Sequence, residues 1–104
     1  MWKWLRSALK LEPMNEQAAQ TLINDELRRL EALQYKELVA RIGNVETKEV
    51  VGDDGKIYQL EIQVFWGSKQ GEDVRVIVSA DDGAWRAFKP LADSIIVRSD
   101  GSLF

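Results

Sequence analysis

The sequence contains no cysteine and no histidine. Without cysteine the chain has no disulfide, no thiolate nucleophile and no zinc–thiolate site, which fits the reducing cytoplasm. Without histidine it lacks the commonest general base and metal ligand, so Ser–His–Asp and Cys–His arrangements are excluded. We therefore expect a cytoplasmic protein that is not an enzyme and that has no cofactor and no metal site.

A basic excess is also lacking. The 14 basic and 17 acidic residues give a net charge of −3, and residues 44–104 hold 7 basic against 11 acidic residues. An acidic surface repels polyanions, so we expect no nucleic-acid partner. The length of 104 residues predicts one domain.

Proline is rare, and the first of the two divides the chain. Pro13 ends an amphipathic helix predicted for residues 1–12, and a single domain is predicted for residues 13–104. Asn15 is a candidate N-cap for a helix whose apolar residues recur at helical spacing as far as Leu33. The pattern restarts at Tyr35, which predicts a break near Gln34, and Gly43-Asn44 is the predicted stop.

The remainder of the chain alternates as strands do. Valines at positions 45, 50 and 51 predict a first strand, although their pattern is weak. Period-two alternation predicts strands over Ile57–Trp66 and from Val74 to Ala80. A turn at residues 81–83 leads to a predicted fourth strand through Trp85, which ends at Pro90, and residues 95–98 form a short last strand. The fold class is therefore α+β, with N-terminal helices packed on a four- to five-stranded antiparallel β-meander, an architecture comparable to cystatin-like folds.

The runs GKIYQLEIQVFW and DVRVIVSADDGAWRAFKPLADSIIVRSDGS, together with YKELVARIGN, resemble a family of small uncharacterised bacterial proteins. These motifs are strands, turns and a helix end. The resemblance implies a fold and carries no catalytic residue, ligand or partner.

The first eleven residues, MWKWLRSALKL, carry three cations and no acid. On a helix, Lys3, Arg6 and Lys10 would form one stripe beside a broad apolar surface, a pattern typical of a helix in a membrane interface. Eleven helical residues span about 16 Å, too little to cross a hydrocarbon core of about 30 Å. The segment could instead fold onto its own domain, exchange with a second subunit, or bind another protein.

The second face of the sheet is more apolar than solvent alone would favour. Ile57, Phe65, Ile77 and Phe88 alternate with glutamines and arginines, a mixture that suits a dimer interface or a ligand groove. The N-terminal helix could also cover this face.

Two weaker features remain. The acid pairs Asp53-Asp54 and Asp81-Asp82 precede glycine, where aspartate caps its own turn, and they do not match a calcium-loop pattern. An aromatic pocket between helix and sheet would be lined by Tyr35, Tyr58, Trp66 and Trp85, although for Trp66 and Trp85 packing against the long helix is favoured over ligand binding.

The sequence thus predicts a non-enzymatic protein-interaction domain that forms a homo-oligomer. The alternatives are a small-ligand-binding domain and peripheral membrane attachment through residues 1–11. The predicted interface residues are Trp2, Trp4, Leu5, Leu9, Ile57, Phe65, Ile77 and Phe88.

Overall fold

The structure is a computed structural model that describes residues 15–82 and 91–103. Within these residues two helices precede four strands, which confirms the predicted α+β class. The elements are α1 (Glu16–Glu31), α2 (Tyr35–Val39), β1 (Val45–Val51), β2 (Ile57–Trp66), β3 (Val74–Asp81) and β4 (Leu91–Val97). The helix predicted for residues 1–12 lies outside the described residues.

Helix α1 begins as the sequence predicts. The side-chain Oδ1 of Asn15 accepts a hydrogen bond of 3.1 Å from the backbone N–H of Ala18, one of the N–H groups that the first turn leaves without a helical partner. One face of the helix is buried, and it carries Ala19, Ile23 and Leu30 at helical spacing.

Replacing Asn15 with alanine is expected to lower the free energy of unfolding by about 1 kcal/mol, because the N–H of Ala18 loses its acceptor. Denaturant unfolding followed by circular dichroism measures this loss. Asn24→Ala makes the same change at an exposed position inside α1 and is expected to leave stability unchanged or slightly higher. Equal losses in the two variants would contradict the capping role.

The helical region breaks where the sequence predicts. Helix α1 ends at Glu31, and α2 begins at Tyr35 with Gln34 as its N-cap. The backbone N–H of Gln34 donates to Oε1 of Glu37 at 3.4 Å, and the backbone N–H of Glu37 donates to the carbonyl of Gln34 at 2.9 Å. These two hydrogen bonds cap the first turn of α2 and therefore stabilise it as a separate helix.

The four strands form one antiparallel sheet in the order β1-β2-β3-β4, so each strand pairs with its neighbour in sequence. Gly52–Lys56 connects β1 to β2, and the backbone N–H of Gly52 donates to the carbonyl of Lys56 at 2.8 Å. Gly55 adopts φ +81° in this turn, a conformation that glycine accepts without strain.

The core lies on one side of the sheet. Helix α1 packs against β3 and β4, and alternate residues of β2 and β3 are buried beneath the helical layer. Buried residues of the sheet include Tyr58, Leu60, Ile62, Val64, Val74, Val76, Val78, Ala80 and Val97. We call this side of the sheet the inner face and the opposite side the outer face.

The last strand differs from its prediction. It begins at Leu91 and ends at Val97, whereas residues 95–98 were predicted. The run Ala92-Asp93-Ser94 is exposed on an edge strand and holds no large apolar side chain, so the sequence pattern of a strand becomes visible only at Ile95. The strand predicted through Trp85 lies outside the described residues.

Candidate interaction surface

Strand β2 divides its side chains between the two faces. Tyr58, Leu60, Ile62 and Val64 are buried on the inner face, while the odd-numbered positions of the strand lie on the outer face. The strand register extends this division across the sheet, because residues that pair directly share a face.

Four apolar residues gather at one end of the outer face. Val45 pairs with Gln63, which pairs with Ile77, and in the next row Phe65 pairs with Arg75, which pairs with Ile96. Residues on neighbouring rows of adjacent strands are about 7 Å apart, within reach of large side chains. We call Val45, Phe65, Ile77 and Ile96 the outer apolar cluster.

The outer apolar cluster is open to solvent in the structure. Phe65 is 45% exposed and Val45 is 59% exposed, and Ile77 and Ile96 are half-buried. Large side chains with this exposure on one sheet face are typical of interaction surfaces. Val51 and Ile57, which pair at the opposite end of the sheet, are also exposed.

The middle of the outer face is polar. One row carries Thr47, Glu61 and Ser79, and the next carries Glu49, Gln59 and Asp81. Within strands β1–β4 the outer face therefore presents three carboxylates and one cation, Arg75. The two ends of the face differ in chemistry, because apolar groups gather near the β2–β3 connection and acidic groups lie toward the β1–β2 turn.

The predicted interface residues are only partly brought together. Phe65 and Ile77 lie in the outer apolar cluster, but Ile57 lies at the other end of β2 beside Val51. Trp2, Trp4, Leu5, Leu9 and Phe88 lie outside the described residues.

The sequence reasoning missed Val45, Val51 and Ile96. The signal for Ile96 was available, since adjacent isoleucines at 95 and 96 must point to opposite faces of a strand. Assigning Val45 and Val51 to the outer face requires the β1–β2 register, which the weak pattern of β1 does not define.

The predicted aromatic pocket is not assembled by the residues that the structure describes. Tyr58 and Trp66 are eight residues apart on β2, which is about 26 Å in an extended strand. The hydroxyl of Tyr35 donates to the carbonyl of Glu72, at the Trp66 end of the strand. Trp85 lies outside the described residues.

Tyr58 instead supports the β1–β2 turn. It is fully buried, and its hydroxyl donates to Oδ2 of Asp54 at 2.6 Å, while Oδ1 of Asp54 accepts the backbone N–H of Lys56 at 3.1 Å. The hydrogen bond from Tyr58 is the main cause that lowers the pKa of Asp54 below its ordinary value. The Asp53-Asp54 pair therefore contains one carboxylate with a structural role, in agreement with the turn chemistry expected from the sequence.

An open cleft of about 270 Å³ lies between this turn and the start of α1. Its walls combine polar and apolar surface, and Asn15 and Asp54 are already engaged in the cap and the turn. The lining residues are Asn15, Gln17, Ala18, Thr21, Asp53 and Asp54.

A buried carboxylate lies between α1 and β1. Glu26 is 5% exposed, and its carboxylate accepts hydrogen bonds from the Arg29 guanidinium. Its Oε1 also forms an ion pair with Nζ of Lys48 at 2.6 Å. Burial alone would raise the pKa of Glu26, but the bonds and charges of Arg29 and Lys48 outweigh it and lower the pKa below its ordinary value. The cluster joins α1 to the edge strand β1 on the inner face of the sheet, away from the outer face.

Metal sites and membrane spans were sought among residues 15–82 and 91–103. This part of the chain contains no group of three or more acidic side chains placed to hold a metal ion. None of its helices has the length and apolar character needed to cross a bilayer.

Comparison with protein-family models, curated proteins and solved structures gave no match to the chain. The resemblance to small bacterial proteins therefore stays a prediction.

Proposed function

We propose that this protein is a non-enzymatic domain that self-associates, with the outer face of its sheet as the surface through which one copy contacts another. The observation that carries the proposal is the outer apolar cluster, in which Phe65 and Val45 are about half exposed on a sheet face. Burying such side chains against a partner is favourable by about 25 cal/mol for each Å² of apolar area removed from water.

The sheet edges are poorer surfaces for association. Edge strand β1 carries three charged residues, Glu46, Lys48 and Glu49, and charged side chains discourage pairing along an edge. Edge strand β4 already has a partner at one end, because Val97 forms an antiparallel bridge with Leu103. These features favour contact through the face of the sheet.

A second copy is the partner that we propose because the chain itself contains complementary chemistry. Residues 1–11 hold two tryptophans, three leucines and three cations without an acid. The outer face, which is apolar at one end and acidic toward the other, is complementary to this segment in both respects. A second copy of the chain supplies both the segment and the face.

Phe65→Thr tests the proposal. Threonine, like phenylalanine, is favoured in strands, but it removes the aromatic ring from the outer apolar cluster. We expect the wild-type protein to show concentration-dependent mass in light scattering, and the variant to associate at least about tenfold more weakly, since tenfold corresponds to about 1.4 kcal/mol of lost contact.

Val51→Thr is the matched control. Val51 is 67% exposed on the same face but lies at the opposite end of the sheet from the outer apolar cluster. This variant is expected to associate like the wild type, and circular dichroism checks that both variants are folded. A wild-type protein that stays monomeric at high concentration, or equal weakening by both substitutions, would overturn the proposal.

A further inference from the structure

We infer that residues 1–11 of one copy bind the outer face of a second copy, so that two chains exchange these segments. The inference rests on the proposed self-association and names the occupant of the surface. Two properties of the outer face carry it, namely its charge and the arrangement of its apolar groups.

Charge favours the segment over an identical face. Within strands β1–β4 the middle of the outer face presents Glu49 and Glu61, and the cation Arg75 lies at one end. Two such faces placed together would bring like charges into contact, which is unfavourable. Residues 1–11 carry Lys3, Arg6 and Lys10 and no acid, so their charge is opposite to that of the face.

The apolar groups and the dimensions also correspond. The outer apolar cluster and the rows holding Glu61 and Glu49 extend over three two-residue steps of the strands, about 20 Å. Eleven residues in a helix, which their sequence predicts, are about 16 Å long. Such a segment would contact apolar and acidic parts of the face together.

Mixing two full-length variants tests the exchange. The segment variant combines Lys3→Glu with Arg6→Glu, and the face variant combines Glu49→Lys with Glu61→Lys. In each variant alone the segment and the face carry charge of the same sign, so each is expected to associate at least about tenfold more weakly than the wild type. In the mixture both contacts are again between opposite charges, and light scattering is expected to show restored association.

The outcomes separate the two proposals. If the wild type associates and the mixture does not, the segment inference is overturned while self-association stands. If the wild type is monomeric, the proposed function fails, and the inference with it. Sedimentation with phosphatidylserine vesicles gives the remaining arm: a monomeric wild type that pellets with vesicles, and a segment variant that does not, would assign residues 1–11 to a membrane surface.

Salt adds an independent readout. Screening shortens the range of charge interactions from about 10 Å at 0.1 M salt to about 3 Å at 1 M. We expect wild-type association to weaken across this range. Association that strengthens with salt would indicate a contact without the charge pairing and would count against the segment.

Discussion

Replacing Glu26 with glutamine is expected to lower the free energy of unfolding at neutral pH by about 2 kcal/mol, because it leaves two cations without their shared acceptor. The carboxylate is almost completely buried and receives both Arg29 and Lys48. Breaking a buried ion pair costs about 3–5 kcal/mol when the remaining charge is fully enclosed. Here the cations keep 45% and 35% of their side-chain surface exposed, so water reduces the loss.

Asp25→Asn is the matched control. Asp25 neighbours Glu26 in the same helix and also pairs with an arginine three residues later, Arg28. Both side chains of this ion pair are exposed. Its loss is expected to be within about 0.5 kcal/mol. Urea unfolding of the two variants measures the difference, and similar losses would show that burial of the Glu26 cluster has no special effect.

The destabilisation by Glu26→Gln is expected to depend on pH. The folded-state pKa of Glu26 lies below its ordinary value of 4.5, so its contribution is fully present above that value. The contribution is lost as pH falls through the lowered folded-state pKa, because the protonated acid resembles the amide. The stability difference between wild type and variant should therefore be constant from pH 7 to about 5 and shrink below it. A difference that grows on acidification would contradict this sign.

Gly52→Ala is expected to lower the free energy of unfolding by about 1–3 kcal/mol. An added Cβ at this buried position would lie 2.7 Å from Cε1 of Tyr58 and 2.8 Å from Oδ1 of Asp54. The tyrosine ring is fully buried, and its hydroxyl is held by Asp54, so it has no open space into which to move. The methyl group must displace the ring or the turn.

Repeating the substitution in a Tyr58→Leu background provides the control. Tyr58→Leu removes the ring atom that the new methyl group would meet, so Gly52→Ala is expected to cost less there than in the wild type. Thermal unfolding of the four proteins gives the coupling. Equal costs in both backgrounds would locate the strain in the turn backbone instead of the Tyr58 ring.

The helix start, the break near Gln34 and the two central strands could be predicted because local chemistry determines them. Asn15 caps its own helix, and the alternation in β2 and β3 reflects burial of one face beneath a helical layer. Edge strands are less predictable. Strand β4 is half solvated, and because residues 92–94 include no large apolar side chain, the sequence does not show the start that the structure places at Leu91.

The outer face could be predicted only in part for a related reason. The alternation in β2 and β3 assigns Phe65 and Ile77 to one face, but the grouping of Val45 and Ile96 with them depends on strand register. Register is a property of pairs of strands, and a single sequence pattern does not contain it. The Glu26 cluster is unpredictable for the same reason, since Lys48 meets the helix only through the tertiary fold.

The pairing of α1 with β3 and β4 has a consequence for how the chain folds. Each strand pairs with the next along the sequence, so the sheet can grow through local hairpins, which form quickly. The helix is different, because it precedes the sheet in the sequence and packs on the last two strands, with Gln20 reaching Asp93 across 73 residues. The apolar side of α1 therefore remains incompletely buried on the ribosome until β4 has emerged, and we expect the helix to complete its docking on the sheet only then.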